Sequence, residues 1–272
     1  MSTNLFTCLY AEKQPERDCE LLACLEMNRR INSLDRIFVL EEPPYRLRDG
    51  GKIRVIRLTQ RPTFNDFLNV IRSETGPDDL NILANTDIYL DDVGIRHAKR
   101  WLRPDVCFAL ARWDVCLSWK RARMVWGPCS QDVWMFRGVP KTVNAPFLMG
   151  KLACDNRLAH ELVEAGYTVK NPSRQLRVFH LHETAIRNYG MTVDDHVSGP
   201  YLSVPHESLT LIHACQWGLE RLVRGSLKLL GAKMALPYER ACPVPADLEV
   251  SAIPICDAMR LFIPESIHNE LQ

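Results

Sequence analysis

Short apolar runs and helix-length stripes take turns through residues 4 to 90, and this alternation narrows the fold more than any other feature. Asn4 to Leu9 reads as a strand. Pro15 to Ile31 carries Leu21, Leu22, Leu25 and Ile31 at roughly helical spacing, and Arg36 to Leu40 is apolar again. Pro43, Pro44, Gly50 and Gly51 punctuate a loop before Lys52 to Leu58, which alternates as a strand. Thr63 to Ser73 predicts a helix with Phe64, Phe67, Leu68 and Ile71 on one face, and Thr63 ahead of Asp66 is an N-cap signature. Leu80 to Leu90 closes the series as a further strand. Strand-helix-strand-strand-helix-strand predicts an α/β sheet of mostly parallel order.

Ligands of open α/β sheets bind beyond the carboxyl ends of the strands. Leu80-Asn81-Ile82-Leu83-Ala84 reads as a buried strand, and Asn85, Thr86 and Asp87 arrive where side chains reach a cleft. A carboxylate there suits a hard cation, Mg2+ or Mn2+, that takes oxygen ligands and bridges phosphates. Thr7 and Tyr10 end the first strand, and Arg61 to Asp66 begin the helix after the third. A nucleotide's base and ribose are therefore expected near Thr7, Tyr10, Arg61 and Asp66. No Gly-x-Gly-x-x-Gly or Walker A sequence is present, so dinucleotide-binding and P-loop readings lose their main support.

Composition permits this picture. The 272 residues suffice for one large domain or one and a half, and 46% hydrophobic content supplies a full core. A net charge of +1 gives no global attraction to nucleic acid or to an anionic membrane. Met1-Ser2-Thr3-Asn4 lacks a basic region followed by a long apolar run, and no apolar stretch approaches the ~20 residues of a membrane span. A cytoplasmic protein is expected, with the inner face of a membrane as the alternative. The ten cysteines are scattered and none forms Cys-x-x-Cys, so buried free thiols are expected, Cys154 beside Asp155 among them.

Two later regions carry polar chemistry. Cys107 to Arg112 and Val133 to Arg137 look like strands, with Trp113, Trp119, Trp126 and Trp134 in or between them. Each Trp is a core residue or a sugar-stacking platform. Ser130-Gln131-Asp132 offers hydroxyl, amide and carboxylate groups that suit sugar hydroxyls, or forms a turn. Gly150 to Arg157 leads into a helix that Gly166 stops, which places Asp155 or Asn156 at the helix start. Asp155 is an N-cap, a general base facing an acceptor hydroxyl, or both; Asp132 is the next candidate. Leu176 to Glu183 reads as a strand in which His180 and His182 share a face, a pairing that suits metal or phosphate. Arg187, Asn188 and Tyr189 follow, and Arg187 suits bidentate contact with a diphosphate.

The order of these motifs resembles the GT-A-fold glycosyltransferases. Asn85-Thr86-Asp87 corresponds to their metal-binding Asp-x-Asp region, with Asn85 in the first acidic slot. Asp155 corresponds to an acidic residue at the start of a later helix, and His180 or His182 to a C-terminal histidine that completes the metal site. The resemblance covers about residues 4 to 190. It implies a Rossmann-type mixed sheet flanked by helices and a catalytic domain over 1–195. It also implies Mn2+ or Mg2+, a nucleotide-sugar donor (a UDP-sugar foremost) and a glycan or other hydroxyl acceptor. In this reading Asn85, Thr86, Asp87 and Arg187 join Thr7, Tyr10, Arg61 and Asp66 at the donor, and Asp87, His180 and His182 hold the cation. A catalytically silent GT-A-like module that binds glycan or nucleotide is the alternative, favoured by Asn85. A nucleotidyltransferase comes third, because its usual Gly-rich phosphate loop is missing after the first strand.

Residues 196–272 form a separate extension. Leu209, Ile212, Leu219, Leu222, Val223, Leu227 and Leu230 predict an amphipathic helix, with Arg221, Arg224, Lys228 and Lys233 nearby. It packs on the domain or meets a membrane surface or a partner. The proline-punctuated tail after Pro237 reads as an extended wrapping arm.

Overall fold

The computed structural model describes residues 1–116, 121–125, 127, 130–182, 184, 196–210, 215 and 242–243. β1 (Thr3–Leu9), α1 (Pro15–Arg30), β2 (Arg36–Glu41), β3 (Ile53–Arg57), α2 (Phe64–Glu74) and β4 (Leu80–Ala84) follow the expected order. β5 (Ile88–Leu90), α3 (Asp92–Trp101), β6 (Val106–Leu110), β7 (Trp113–Cys116), β8 (Arg121–Met124) and β9 (Val133–Arg137) come next. α4 (Cys154–Glu164), β10 (Thr168–Lys170), β11 (Val178–His180) and the short β12 (Cys242–Pro243) complete the elements.

Seven strands make the main sheet in the order β10-β6-β9-β4-β1-β2-β3. β1 pairs in parallel with β2 and β4, and β9 runs antiparallel to both of its neighbours. The architecture is the expected mixed sheet flanked by helices. Period-two alternation explains the layers. Leu5, Ile37, Val39, Ile82, Val133 and Met135 face one core with Leu21, Leu22 and Leu25 of α1 and Ile95 and Ala98 of α3. Phe6, Phe38, Leu40, Leu83, Trp134 and Phe136 face the other, with Phe64, Phe67, Leu68 and Ile71 of α2 and Leu158 and Leu162 of α4. The order of strands reverses between β1 and β4, so a crevice opens beyond their carboxyl ends.

The stretch Leu80–Leu90 is two strands, not the single one expected. Asn85 donates its backbone N–H to Asp132 O, Ile88 folds back onto Asn85 O, and the chain leaves the main sheet. Ile88–Leu90 then joins a second sheet, β12-β8-β7-β11-β5, antiparallel to β11. The Asn85-Thr86-Asp87 turn therefore joins the two sheets. Asn28 of α1 seals the free edge of β5. Its amide donates to Ile88 O and accepts from Leu90 N–H, both at 2.9 Å. Asp91 caps α3, a helix absent from the expectations, by accepting from Val93 N–H. Among the described residues of the expected strand over 176–183, Val178–His180 pairs and His182 lies beyond its end.

Residues 196–210 lie along α4 and β10. Leu152 O and Asn156 O accept from Val197 and Leu202 N–H, and the Asn156 and Asn171 side chains donate to Leu202 O and Val204 O. Apart from Leu209, which packs at the edge of the core, the hydrophobic positions of the expected C-terminal helix lie outside the described residues, as does most of the tail. No helix among the described residues is long and apolar enough to cross a membrane.

The start of α2 anchors the crevice rim. Thr63 and Asp66 form a reciprocal capping box, Thr63 N–H donating to Asp66 at 2.7 Å and Asp66 N–H to Thr63 Oγ1 at 3.3 Å. Thr63→Ala is expected to destabilise the protein by about 1 kcal/mol. Urea denaturation should show a lower midpoint with an unchanged slope.

Candidate functional site

A cavity of about 660 Å³ opens beyond the ends of β1 and β4. Tyr10, Arg61, Asn85, Thr86, Asp87, Asp132, Asp155, His180 and His182 all line it. Thr7 and Asp66 do not. Thr7 is buried within β1, and the Asp66 carboxylate is held by Thr63, its backbone N–H and its hydroxyl alike. Of the residues expected at a nucleotide's base and ribose, the cavity brings together Tyr10 and Arg61. Arg187 lies outside the described residues, as do Trp119 and Trp126. Trp113 donates to Ser173 O, and Trp134 packs edge-on against Phe64 while forming part of the cavity wall. Cys154 also borders the cavity, but burial pushes its thiol up to about 12, so it stays protonated.

Asp87, His180 and His182 converge, with one ligand atom from each lying within 4.8 Å of the others. Asp87 comes from the β4–β5 turn and His180 from β11, brought together by the β5–β11 pairing. His180 Nε2 lies 3.1 Å from Asp87 Oδ2, and its Nδ1 lies 2.8 Å from Asp114 Oδ1. Asp114 reaches this position because β7 pairs in parallel with β11, His180 opposite Asp114. Burial disfavours the charged His180 ring, but the hydrogen bonds to Asp114 and Asp87 prevail and raise it to about 9. Burial likewise opposes the Asp87 carboxylate, yet His180 and Arg17 hold it well below the usual range. Burial and the nearby Arg17 and His180 charges lower His182, so its ring is neutral near pH 7. Its Nε2 is buried and has no hydrogen-bond partner among the described residues. A neutral imidazole with an unused nitrogen, beside a carboxylate and a second imidazole, is a donor set that fits a divalent cation.

Sequence reasoning missed three cavity residues. Arg17, buried in the first turn of α1, donates through Nη2 to Asp87 and through Nη1 to Glu20 (2.8 Å) and Leu181 O (3.0 Å). Arg112 donates to Asp114 at 2.8 Å and to Asp132 at 3.2 Å. Asp114 is the third. The Asn85 amide donates to Asp132 Oδ1 at 2.9 Å, so an aspartate at position 85 would set two carboxylates against each other. Asp132 thus has its charge committed to Asn85 and Arg112.

Asp155 is not the N-cap. That place falls to Ala153 in a left-handed conformation (φ 63°), and Asp155 sits one residue inside α4. Its carboxylate accepts the Gln131 N–H at 3.0 Å. Burial raises it to about 6, opposed by that hydrogen bond and assisted by the charge of Asp132. The loop before it favours glycine at 150. With φ +75° there, a Cβ would lie 2.6 Å from Arg61 Nη2.

No protein-family profile and no curated protein matches the sequence. Among solved structures, the chain is similar to the mannosyltransferase PcManGT from Pyrobaculum calidifontis in complex with GDP-Man and Mn2+. The identity is 14% over 69% of this chain and 58% of that one, with a TM-score of 0.41. The chain thus spans less than two thirds of the mannosyltransferase. It is also similar to the galactosyltransferase LgtC in complex with donor and acceptor sugar analogues, at 11% identity over 82% and 95% of the two chains, TM-score 0.37. A third likeness is to an inositol-1-phosphate CTP transferase from T. maritima, at 10% identity over 68% and 91% of the two chains, TM-score 0.41. At these scores the likenesses carry no argument about chemistry.

The His180 bridge has a measurable signature in metal-free protein. Its folded-state value, about 9, lies above the ordinary 6.5. The stability it lends is therefore complete below the ordinary value and lost as pH rises through the folded one. The His180 ring is expected to titrate near 9 by NMR. Asp114→Asn should move that midpoint down and flatten the loss of thermal stability on the alkaline side.

Proposed function

We propose that the protein is a metal-assisted glycosyltransferase that moves a sugar from a nucleotide-sugar donor to a hydroxyl acceptor. The observation that carries this reading is the meeting, in one cavity at the switch point of the sheet, of a carboxylate–imidazole cation site and a separate carboxylate raised toward neutral pH. Residues 1–195 form the catalytic domain in this reading, and 196–272 an extension.

Asp87, His180 through Nε2 and His182 would hold the cation. Their mixed oxygen and nitrogen donors fit Mn2+ better than Mg2+, which prefers oxygen. Bound there, a divalent cation neutralises charge on the departing nucleoside diphosphate. Ligation needs the Nε2 lone pair, so His180 gives up a proton on loading, while its Nδ1–H stays on Asp114 and fixes the ring. Tyr10, Arg61 and Thr86 border the part of the cavity assigned to the nucleotide, with a UDP-sugar as the first donor to test. Asp155 takes the proton of the acceptor hydroxyl as that oxygen attacks the anomeric carbon, the sugar–phosphate bond breaks and the nucleoside diphosphate leaves. Its partial desolvation makes it a stronger base than an exposed aspartate. The Gln131 N–H holds it in one orientation.

A binding module without turnover is the second reading. Asn85 favours it, because Asp87 is left as the one carboxylate of the triad. UDP-, GDP-, CMP- and dTDP-sugars, screened with and without Mn2+ for thermal shift and for diphosphate release, separate the two. Metal-dependent binding with no release in the presence of any hydroxyl acceptor would support the module.

Asp155→Asn preserves shape and removes basicity. The variant is expected to fold and bind donor normally while turnover falls by about 10²–10⁴-fold, the usual contribution of acid–base catalysis. In the wild type, kcat/KM should fall as pH drops through about 6, where Asp155 gains its proton. Near-wild-type turnover in Asp155→Asn would remove it from this role.

A further inference from the structure

Arg17 has an unusual station for a guanidinium. It is 4% exposed, and it contacts Asp87 Oδ2, the oxygen that His180 Nε2 also approaches. A cation entering the triad must share or take that oxygen. Arg17 cannot simply swing into water. Glu20 Oε2 and Leu181 O hold its Nη1, and Glu20 is itself bound by the backbone N–H and hydroxyl of Thr184. The guanidinium also joins the two segments that carry the triad, since Leu181 lies between His180 and His182.

Charge decides what this means. The triad offers one negative charge, from Asp87, because position 85 is an amide already donated to Asp132. Arg17 contacts that charge alongside the His180 ring, and the Glu20 carboxylate stands on the far side of the guanidinium. A bare divalent cation therefore meets a carboxylate whose field is largely cancelled at close range. A diphosphate adds negative charge to the same cavity, beyond the Asp87 and Glu20 carboxylates that already face Arg17. We propose that Arg17 is a resident countercharge that makes cation binding conditional on the diphosphate, so that the two are taken up together. The inference rests on the glycosyltransfer reading above. Arg17 acts here through Asp87, as a positioning and charge-setting residue.

Coupling of this kind is reciprocal and can be measured from either ligand. Mn2+ uptake is followed by loss of the free-ion EPR signal, in the absence and in the presence of UDP or GDP, and circular dichroism confirms folding. Wild-type protein should bind Mn2+ weakly alone and much more tightly with one of the diphosphates. In Arg17→Met/Glu20→Gln, which removes both charges and leaves neither unpaired, Mn2+ alone should bind about tenfold or more tightly than in wild type. The enhancement by diphosphate should shrink by a similar factor. Arg17→Lys keeps the charge and should retain most of the enhancement. A folded double variant with weaker Mn2+ binding and unchanged enhancement would show Arg17 to be a strut only, overturning the proposal.

Should the double variant fail to fold, Glu20→Gln alone decides by the opposite sign. It leaves Arg17 less neutralised, so Mn2+ alone must bind more weakly and the enhancement must grow; no change overturns the proposal. Tight Mn2+ binding by wild type without any diphosphate also overturns it while leaving the glycosyltransfer reading intact. Wild type that takes up Mn2+ but responds to no nucleoside diphosphate overturns both.

Discussion

A single file of alternating charges crosses the floor of the crevice, from Arg17 through Asp87, His180, Asp114 and Arg112 to Asp132 and the amide of Asn85. Several of these groups are removed from water, and a buried charge left without a partner is strongly destabilising. Each group in the file is matched on both sides by its neighbours. The requirement is geometric as well as electrostatic. The β4–β5 turn, β7, β11 and the entry to β9 must all sit where the file closes. The two sheets are thereby held in one relative placement by polar contacts rather than by apolar packing alone. A smaller core between α1 and the second sheet, with Tyr89 stacked on Phe179 and Cys24 of α1 among its members, seats that sheet on the helix.

The backbone of the fold was legible because it is written in period. Alternating apolar residues in β1, β2 and β4 and the stripe of α2 announce their own elements. Asp87, His180, His182 and Asp155 were legible because each sits at a strand or helix end that the pattern marks. Arg17, Arg112 and Asp114 were not, since their importance arises from pairings between β7 and β11 and between α1 and the β4–β5 turn. In the sequence, Arg17 sits among Glu16, Asp18 and Glu20 and reads as a solvated helix face. The structure buries Arg17, Asp18, Glu20, Glu26 and Asn28 because α1 is covered on more than one side. The one local signal was the Arg17–Glu20 spacing of three residues. The capping role of Asp66 was also legible, since Thr63 three residues ahead of it is a local signal and the two side chains meet at the start of α2.

The two carboxylates Asp132 and Asp155 illustrate how neighbours set the state of a charge. Asp132 is buried and Asp155 half-buried, and desolvation raises both. Asp132 is answered by an arginine and an amide, which fix it as a strut of the charged file. Asp155 is answered by a backbone N–H, which orients it without supplying a full countercharge. The antiparallel course of β9 makes this possible. Its entry brings Gln131 and Asp132 to the edge where β1, β4 and β6 leave the sheet.

Asn28 carries a consequence beyond the crevice. By giving and receiving a hydrogen bond at Ile88 and Leu90, one side chain imitates the backbone of a missing neighbour strand. An apolar edge strand with open amides and carbonyls would be a template for pairing with another copy of the chain. A helix residue sealing that edge guards the protein against self-association during folding, at the same place where the turn bearing Asp87 must stay ordered.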